Sequence, residues 1–252
     1  MSWIITGEQK NNWTPAEITT ALWLDAADAS TITESGGVVS QWDDKSGNGK
    51  HATQSIAQSR PLLTGDGLNG RSVITFDGND DFFSVSSFTG SRIISVFLVA
   101  SQDTTTSNKY LLDESNTAQY GGGLSIRFTN TGTVRFWGQD VLPLTNSLAL
   151  SASIPYIIGA IENTTQRNIY IDGTVNANIT PGTDTRTAAN PRIGHSLLLG
   201  GYHDGYIAEI ILVASAVSTD TRQLIEGYLA HKWGLTANLP ADHPYKTAIP
   251  VP

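Results

Sequence analysis

Apolar residues in this chain come in strand-length runs, each cut short by glycine, asparagine or aspartate. That punctuation limits the fold more than any other feature. β-branched and aromatic runs of this length suit strands, and Gly, Asn and Asp supply the turn conformations between them. Residues 73–76 and 81–85 flank a turn at 77–80, giving strand–turn–strand. Residues 92–100 are apolar at nearly every position, which predicts a central strand buried on both faces. Residues 124–128 and 134–137 bracket a Gly-containing loop, and 167–171 and 174–177 bracket Asp172-Gly173, so both segments predict hairpins. Further strands are expected at 156–161 and 206–213.

Helix signals occur twice. Thr14-Pro15-Ala16-Glu17 offers an N-cap followed by proline at the first helical position, enough for about one turn. Residues 218–233 make the stronger case: Ser218 caps, Asp220 sits in the first turn and Gly234 stops the helix. Leu224, Ile225, Tyr228, Leu229 and Trp233 form its apolar stripe, expected to pack on a sheet edge or close one end. Hairpins without strand–helix alternation predict an all-β fold, a two-sheet antiparallel sandwich with a C-terminal amphipathic helix. The expected boundaries are an extension at 1–13, the domain at 14–247 and a tail at 248–252.

Composition narrows the function. Charged residues are 15% of the chain, against about 25% in an average globular domain. Ser, Thr, Asn and Gly are abundant, which predicts a surface of hydroxyls and amides. The net charge of −8 and the lack of a basic run exclude an ordinary nucleic-acid binder. No apolar stretch reaches membrane-spanning length, so no membrane insertion is expected. The chain has no cysteine, so neither a disulfide nor a thiolate metal site is available. The N-terminal residues lack a basic segment followed by a long apolar one, and no ordinary secretory signal is expected. A surface of extracellular type without an export signal fits assembly into a virion released by lysis, or else a mature form of the protein.

Several blocks resemble the laminin-G-like jelly-roll domains of the concanavalin A-like superfamily, found in phage and bacterial surface proteins. They are Leu22-Trp23-Leu24-Asp25, Gln41-Trp42-Asp43-Asp44-Lys45-Ser46-Gly47, Phe76-Asp77-Gly78-Asn79-Asp80, Gly205-Tyr206-Ile207-Ala208-Glu209 and Ala230-His231-Lys232-Trp233-Gly234. The resemblance spans nearly the whole chain and implies a jelly-roll sandwich. The superfamily hosts lectins, adhesion modules, glycosidases and lyases, so fold alone does not settle function.

Glycosidases need two carboxylates flanking the scissile bond. The Glu-x-Asp-x-x-Glu pattern that sets them on one strand face is missing. Glu209 is the only acid in its strand, and Glu162 has no second acid nearby in sequence. Acids, histidines or tyrosines on separate loops remain the route to a hydrolase or lyase. Binding has two candidate sites. If Ile126, Phe128, Val134 and Phe136 face the core, then Arg127, Arg135 and Trp137 share the opposite face. The arginines supply fixed donors, and the indole supplies a flat plate for a sugar's C–H face; equally, this face could be packed under a loop or another subunit. The loop at 200–205 adds Tyr202, His203 and Asp204, or is a turn whose polar side chains satisfy local backbone, the favoured reading for Asp204; His203 and His195 are expected to be solvated or to titrate near neutral pH. Asp77, Asn79 and Asp80, with Asp81, are dense enough in oxygen to suggest a structural calcium, which relatives often carry. Asx side chains bonded to their own turn explain the same residues, and Asp25, Asp28, Asp43 and Asp44 pose the same question. No other cofactor is expected. These readings converge on a non-catalytic domain of a virion surface or tail protein. It would bind cell-surface or environmental glycans as a homo-oligomer beside other virion subunits. The alternatives are a polysaccharide hydrolase or lyase and a purely structural virion subunit.

Overall fold

The computed structural model describes residues 12–88, 93–114, 123–137, 143–182 and 191–252. The strands are β1 (Leu22–Asp25), β2 (Ile32–Ser35), β3 (Val38–Trp42), β4 (Ala52–Thr53), β5 (Leu62–Leu68) and β6 (Arg71–Asp77). They continue with β7 (Phe83–Ser84), β8 (Ile94–Ala100), β9 (Lys109–Asp113), β10 (Ser125–Phe128), β11 (Val134–Trp137) and β12 (Leu144–Thr145). The last are β13 (Tyr156–Glu162), β14 (Arg167–Ile171), β15 (Thr174–Ile179), β16 (Arg192–Ile193) and β17 (Asp204–Val213), followed by the helix α1 (Thr219–Trp233).

Every ladder is antiparallel. One series runs β2-β3-β4-β7-β16-β9-β10-β11-β12. The other runs β17-β8-β13-β14-β15, with β1 and β6 side by side along the free flank of β17 and β5 beyond β6. A pairing of Val38 with Leu62 joins the two series into one 17-stranded network. On the far side, Ser147 Oγ after β12 donates to the Asn176 carbonyl of β15 at 3.4 Å. The two series thus curl towards each other, nearly closing into a barrel.

The inner core takes alternate residues from both series, among them Leu24, Phe76, Leu98, Ile158 and Ile210 facing Trp42, Phe83, Leu112, Ile126 and Phe136. A second core lies on the outer side of β8, β13 and β17, where Phe97, Val99, Ile157 and Ile211 meet Ile225, Leu229 and Trp233 of α1. The helix therefore covers the broad face of the sheet, not the edge or end expected from its stripe. This explains why β8 is apolar at every position but Ser95: both of its faces are buried, as the sequence predicts. Trp23 and Trp233 fill this second core, and Trp42 fills the first.

Local signals set the helix ends. Ser218 accepts from Thr221 N, and Gly234 ends α1 with φ of +73°. Thr14 and Glu17 form a capping box on a single 3-10 turn. Asp172 and Gly173, both at positive φ, turn β14 into β15. The segment at 73–85 is strand–turn–strand but not a hairpin. Its first strand pairs with β5 and β17 and its second with β4 and β16, so the turn carries the chain from one series to the other. Trp13 and Pro250, expected in the extension and the tail, bond to each other at 2.8 Å, and Trp13 packs on Tyr228.

Candidate ligand-binding face

Cross-strand register places polar residues from eight strands in one line. Thr33 pairs with Gln41, Gln41 with Thr53, Thr53 with Ser84 and Ser84 with Arg192. Arg192 pairs in turn with Asp113, Asp113 with Ser125 and Ser125 with Trp137. Paired residues of an antiparallel ladder point the same way. The neighbouring line through Phe83, Ile193, Leu112, Ile126 and Phe136 lies in the inner core. The polar line therefore faces outward. A second outward line runs Tyr110, Arg127, Arg135 and Thr145.

The expected face thus exists, with Arg127, Arg135 and Trp137 together on it. The Arg127 guanidinium lies 4.5 Å from the Trp137 ring centre and donates to the Tyr110 hydroxyl, and the Arg135 guanidinium lies 5.3 Å from the same indole. Arg135 also donates from Nε to Thr145 Oγ1 at 2.8 Å. Arg127 and Trp137, however, are each only 5% exposed. Their cation–π stack is packed away from solvent, and it orders this half of the face rather than presenting it.

The open half lies further along the same line. Thr33, Thr53 and Ser84 are exposed, and with Ser40, Gln41, Gln54, Ser55, Ile56, Arg60, Phe82 and Arg192 they line a cleft of about 490 Å³. Hydroxyls and amides dominate its wall. Arg192 lies over Phe82, 4.3 Å from guanidinium to ring centre, and its Nη1 meets His195 Nδ1 at 2.9 Å. Gln54 donates to the Phe82 carbonyl at 2.9 Å and its own carbonyl accepts from Arg60 Nε at 2.9 Å. Sequence reading missed this cleft. Thr53, Ser84 and Arg192 sit on strands of two residues, too short for an alternation signal, although the polar–apolar step of Arg192-Ile193 between Pro191 and Gly194 is a faint one.

The loop at 195–204 divides its residues among three roles. Tyr202 pairs with His195 across a β-bridge, with the two rings stacked at 4.0 Å and 9°, and this pair backs Arg192 behind the cleft. His203, expected to meet a ligand or solvent, is wholly buried between Phe76 and Phe128 and cannot contact either. Desolvation pushes its pKa down to about 4; desolvation and the Arg192 charge do the same for His195. Neither titrates near neutral pH as expected. Asp204 is a structural acid, accepting from Thr104 Oγ1 at 2.8 Å and pairing with Lys109 at 3.3 Å.

The acid cluster is likewise local. Asp77 Oδ1 accepts from the backbone N–H of Asn79 at 2.8 Å and of Asp80 at 3.3 Å, and its Oδ2 accepts from the Asn79 amide at 3.0 Å. Asp80 accepts from Ser59 Oγ at 3.1 Å. Asn79 donates through its amide nitrogen, so Asp77, Asn79 and Asp80 bond one another as a closed Asx turn. The acids that do converge are Asp77, Asp80 and Asp81, with one oxygen of each within 4.8 Å of the others. Burial, followed by the charges of Asp77 and Asp80, pushes Asp81 up to about 6, while the Asp77 N–H bond opposes this. Asp25 and Asp28 instead clamp Lys45, at 3.0 and 2.7 Å, and Asp44 accepts from the backbone of Trp23, Ser46 and Lys50.

Comparison with known proteins locates this fold. No protein-family model matches the sequence, and no curated protein does. Solved structures match well in shape. The botulinum neurotoxin serotype D binding domain superposes with a TM-score of 0.57 at 14% identity, over 82% of this chain and 51% of its own. The binding domain of botulinum neurotoxin DC in complex with rat synaptotagmin II gives 0.60 at 11% identity, over 84% and 52%. Trypanosoma rangeli sialidase in complex with sialic acid gives 0.58 at 13% identity, over 84% and 33%. Further serotype D and DC binding-domain structures hold N-acetylneuraminic acid and SialylT. The chain spans about half the length of the toxin domains and a third of the sialidase. At this identity the likeness is one of fold alone: a mostly antiparallel β-domain.

Proposed function

We propose that this chain is a glycan-binding module, and that its two ladder series are the two sheets of a concanavalin A-like jelly roll. The observation that carries the reading is the outward polar line that opens into the cleft beside Arg192. Sugars present neutral hydroxyls around an apolar C–H face. The cleft matches both parts, with Thr33, Gln41, Thr53 and Ser84 for hydroxyls and Phe82 and Ile56 for carbon. Binding is favoured over hydrolysis by a carboxylate pair because the polar line carries one carboxylate, Asp113, where that chemistry needs two facing acids. Glycan-bound neighbours of the same fold support the direction.

A shallow cleft of this size binds one saccharide weakly, and useful affinity comes from several copies. We therefore place the module on a repeated surface, that of a virion, as a homo-oligomer among other subunits. The test is a glycan array probed with a multivalent display of the chain, alongside Ser84→Trp. The indole of that variant, on an exposed outward position, fills the cleft. Saccharide binding by the wild type and its loss in the variant, with the far-UV spectrum unchanged, is the expected result. An array blank for the wild type, or equal binding by both proteins, refutes the site.

A further inference from the structure

We propose that the cleft takes an acidic saccharide, whose carboxylate is held by the guanidinium groups of Arg60 and Arg192. This rests on the glycan-binding reading and adds the charge of the ligand.

The chain carries a net charge of −8, yet the cleft reverses that sign. Arg60 and Arg192 are the only charged residues in its lining. Among the described residues neither forms an ion pair. Their mounts are neutral. Arg60 is fixed by the carbonyls of Gln54 at 2.9 Å and Ser55 at 3.4 Å. Arg192 is fixed by the Phe82 ring and by His195 Nδ1. For His195 to accept from a guanidinium it must be neutral with its proton on Nε2, and the stack on Tyr202 holds that ring in place.

Two pre-oriented cations held by aromatic rings and carbonyls lack the charge that would normally compensate them. Burial disfavours the charge on Arg192, and the nearby Tyr202 and Asp113 offset this only in part. A ligand carboxylate supplies what is missing. Its planar pair of oxygens matches a guanidinium's parallel N–H groups, and charge-assisted bonds of this kind are about twice as strong as neutral ones. With the acid group at the arginines, the rest of the sugar lies along Ser84, Thr53 and Gln41.

The test is a set of 15N-HSQC titrations of the full chain with matched probes: trigalacturonate against its methyl ester, and 3′-sialyllactose against lactose. At least one acidic probe should bind roughly tenfold more tightly than its neutral partner, equivalent to about 1.4 kcal/mol. The preference should shrink as salt rises. Arg60→Gln and Arg192→Gln should each bring it to about one while their spectra stay dispersed. Should Arg192→Gln fail to fold, Arg60→Gln, more peripheral and anchored only on carbonyls, carries the test. Equal binding of acidic and neutral probes in the cleft overturns the charge inference and leaves the glycan reading standing. An acid preference that survives both substitutions, or shifts that map outside the cleft, also overturns it. No binding of any saccharide overturns both.

Discussion

His203→Phe should remove part of this protein's sensitivity to acid. His203 has no solvent exposure, and neither ring nitrogen has a hydrogen-bond partner of good geometry. Backbone groups of Tyr206 and Ser101 lie close enough to favour the charged ring slightly, but desolvation dominates and brings the pKa from 6.5 to about 4. The unfolded chain therefore binds the proton first. Stability is complete above pH 6.5, falls as pH drops from 6.5 towards 4, and levels off below. A shift of this size is worth about 3 kcal/mol across that window. At pH 7 the loss of two unpartnered nitrogens favours the variant by about 1 kcal/mol, and the larger six-membered ring between Phe76 and Phe128 costs at least as much in overpacking. The discriminating readout is therefore the acid slope, not the stability at pH 7. Urea unfolding of both proteins between pH 4 and 8 measures the effect. His195 titrates with the same sign but cancels in the difference. Equal acid slopes for the two proteins would refute the depressed pKa of His203 and the reasoning built on it.

Two further substitutions probe buried carboxylates. Glu209 is wholly buried and accepts from Trp23 Nε1 at 2.8 Å, Trp233 Nε1 at 2.7 Å, Tyr228 Oη at 2.9 Å and Lys232 Nζ at 2.7 Å, tying α1 to β17. Glu209→Gln leaves Lys232 short of a partner and should cost about 3 kcal/mol in chemical denaturation; a loss under 1 kcal/mol would mean that Asp25, 2.6 Å from Lys232, suffices. Asp81 has the opposite sign from His203. Its folded pKa, about 6, lies above the ordinary 3.8, so its cost is absent below pH 3.8 and grows as pH rises to 6. Asp81→Asn should therefore raise Tm at pH 7, by about 1–2 kcal/mol in stability, and change little near pH 3.5. The same gain is expected with millimolar calcium; a calcium-dependent Tm rise in the wild type that the variant loses would instead mark a metal site.

Local chemistry determined much of this molecule. The alternation of Ile126, Phe128, Val134 and Phe136 fixed which side of that hairpin meets the core, and so put Arg127, Arg135 and Trp137 on the other. Ser218 and Gly234 set the ends of the helix, and Asp172-Gly173 set a turn. Each of these depends on residues a few positions apart, where periodicity and backbone preference act. Tertiary structure decided what that outer face became. Thr53, Ser84 and Arg192 are distant in sequence and lie on strands of two residues, and only cross-strand register brings them into line. It also buried the Arg127–Trp137 stack, carried His203 into the core beside two phenylalanines, and laid α1 across the sheet instead of along its edge. Exposure and register are properties of the packed chain, because they are fixed by which distant strands share hydrogen bonds.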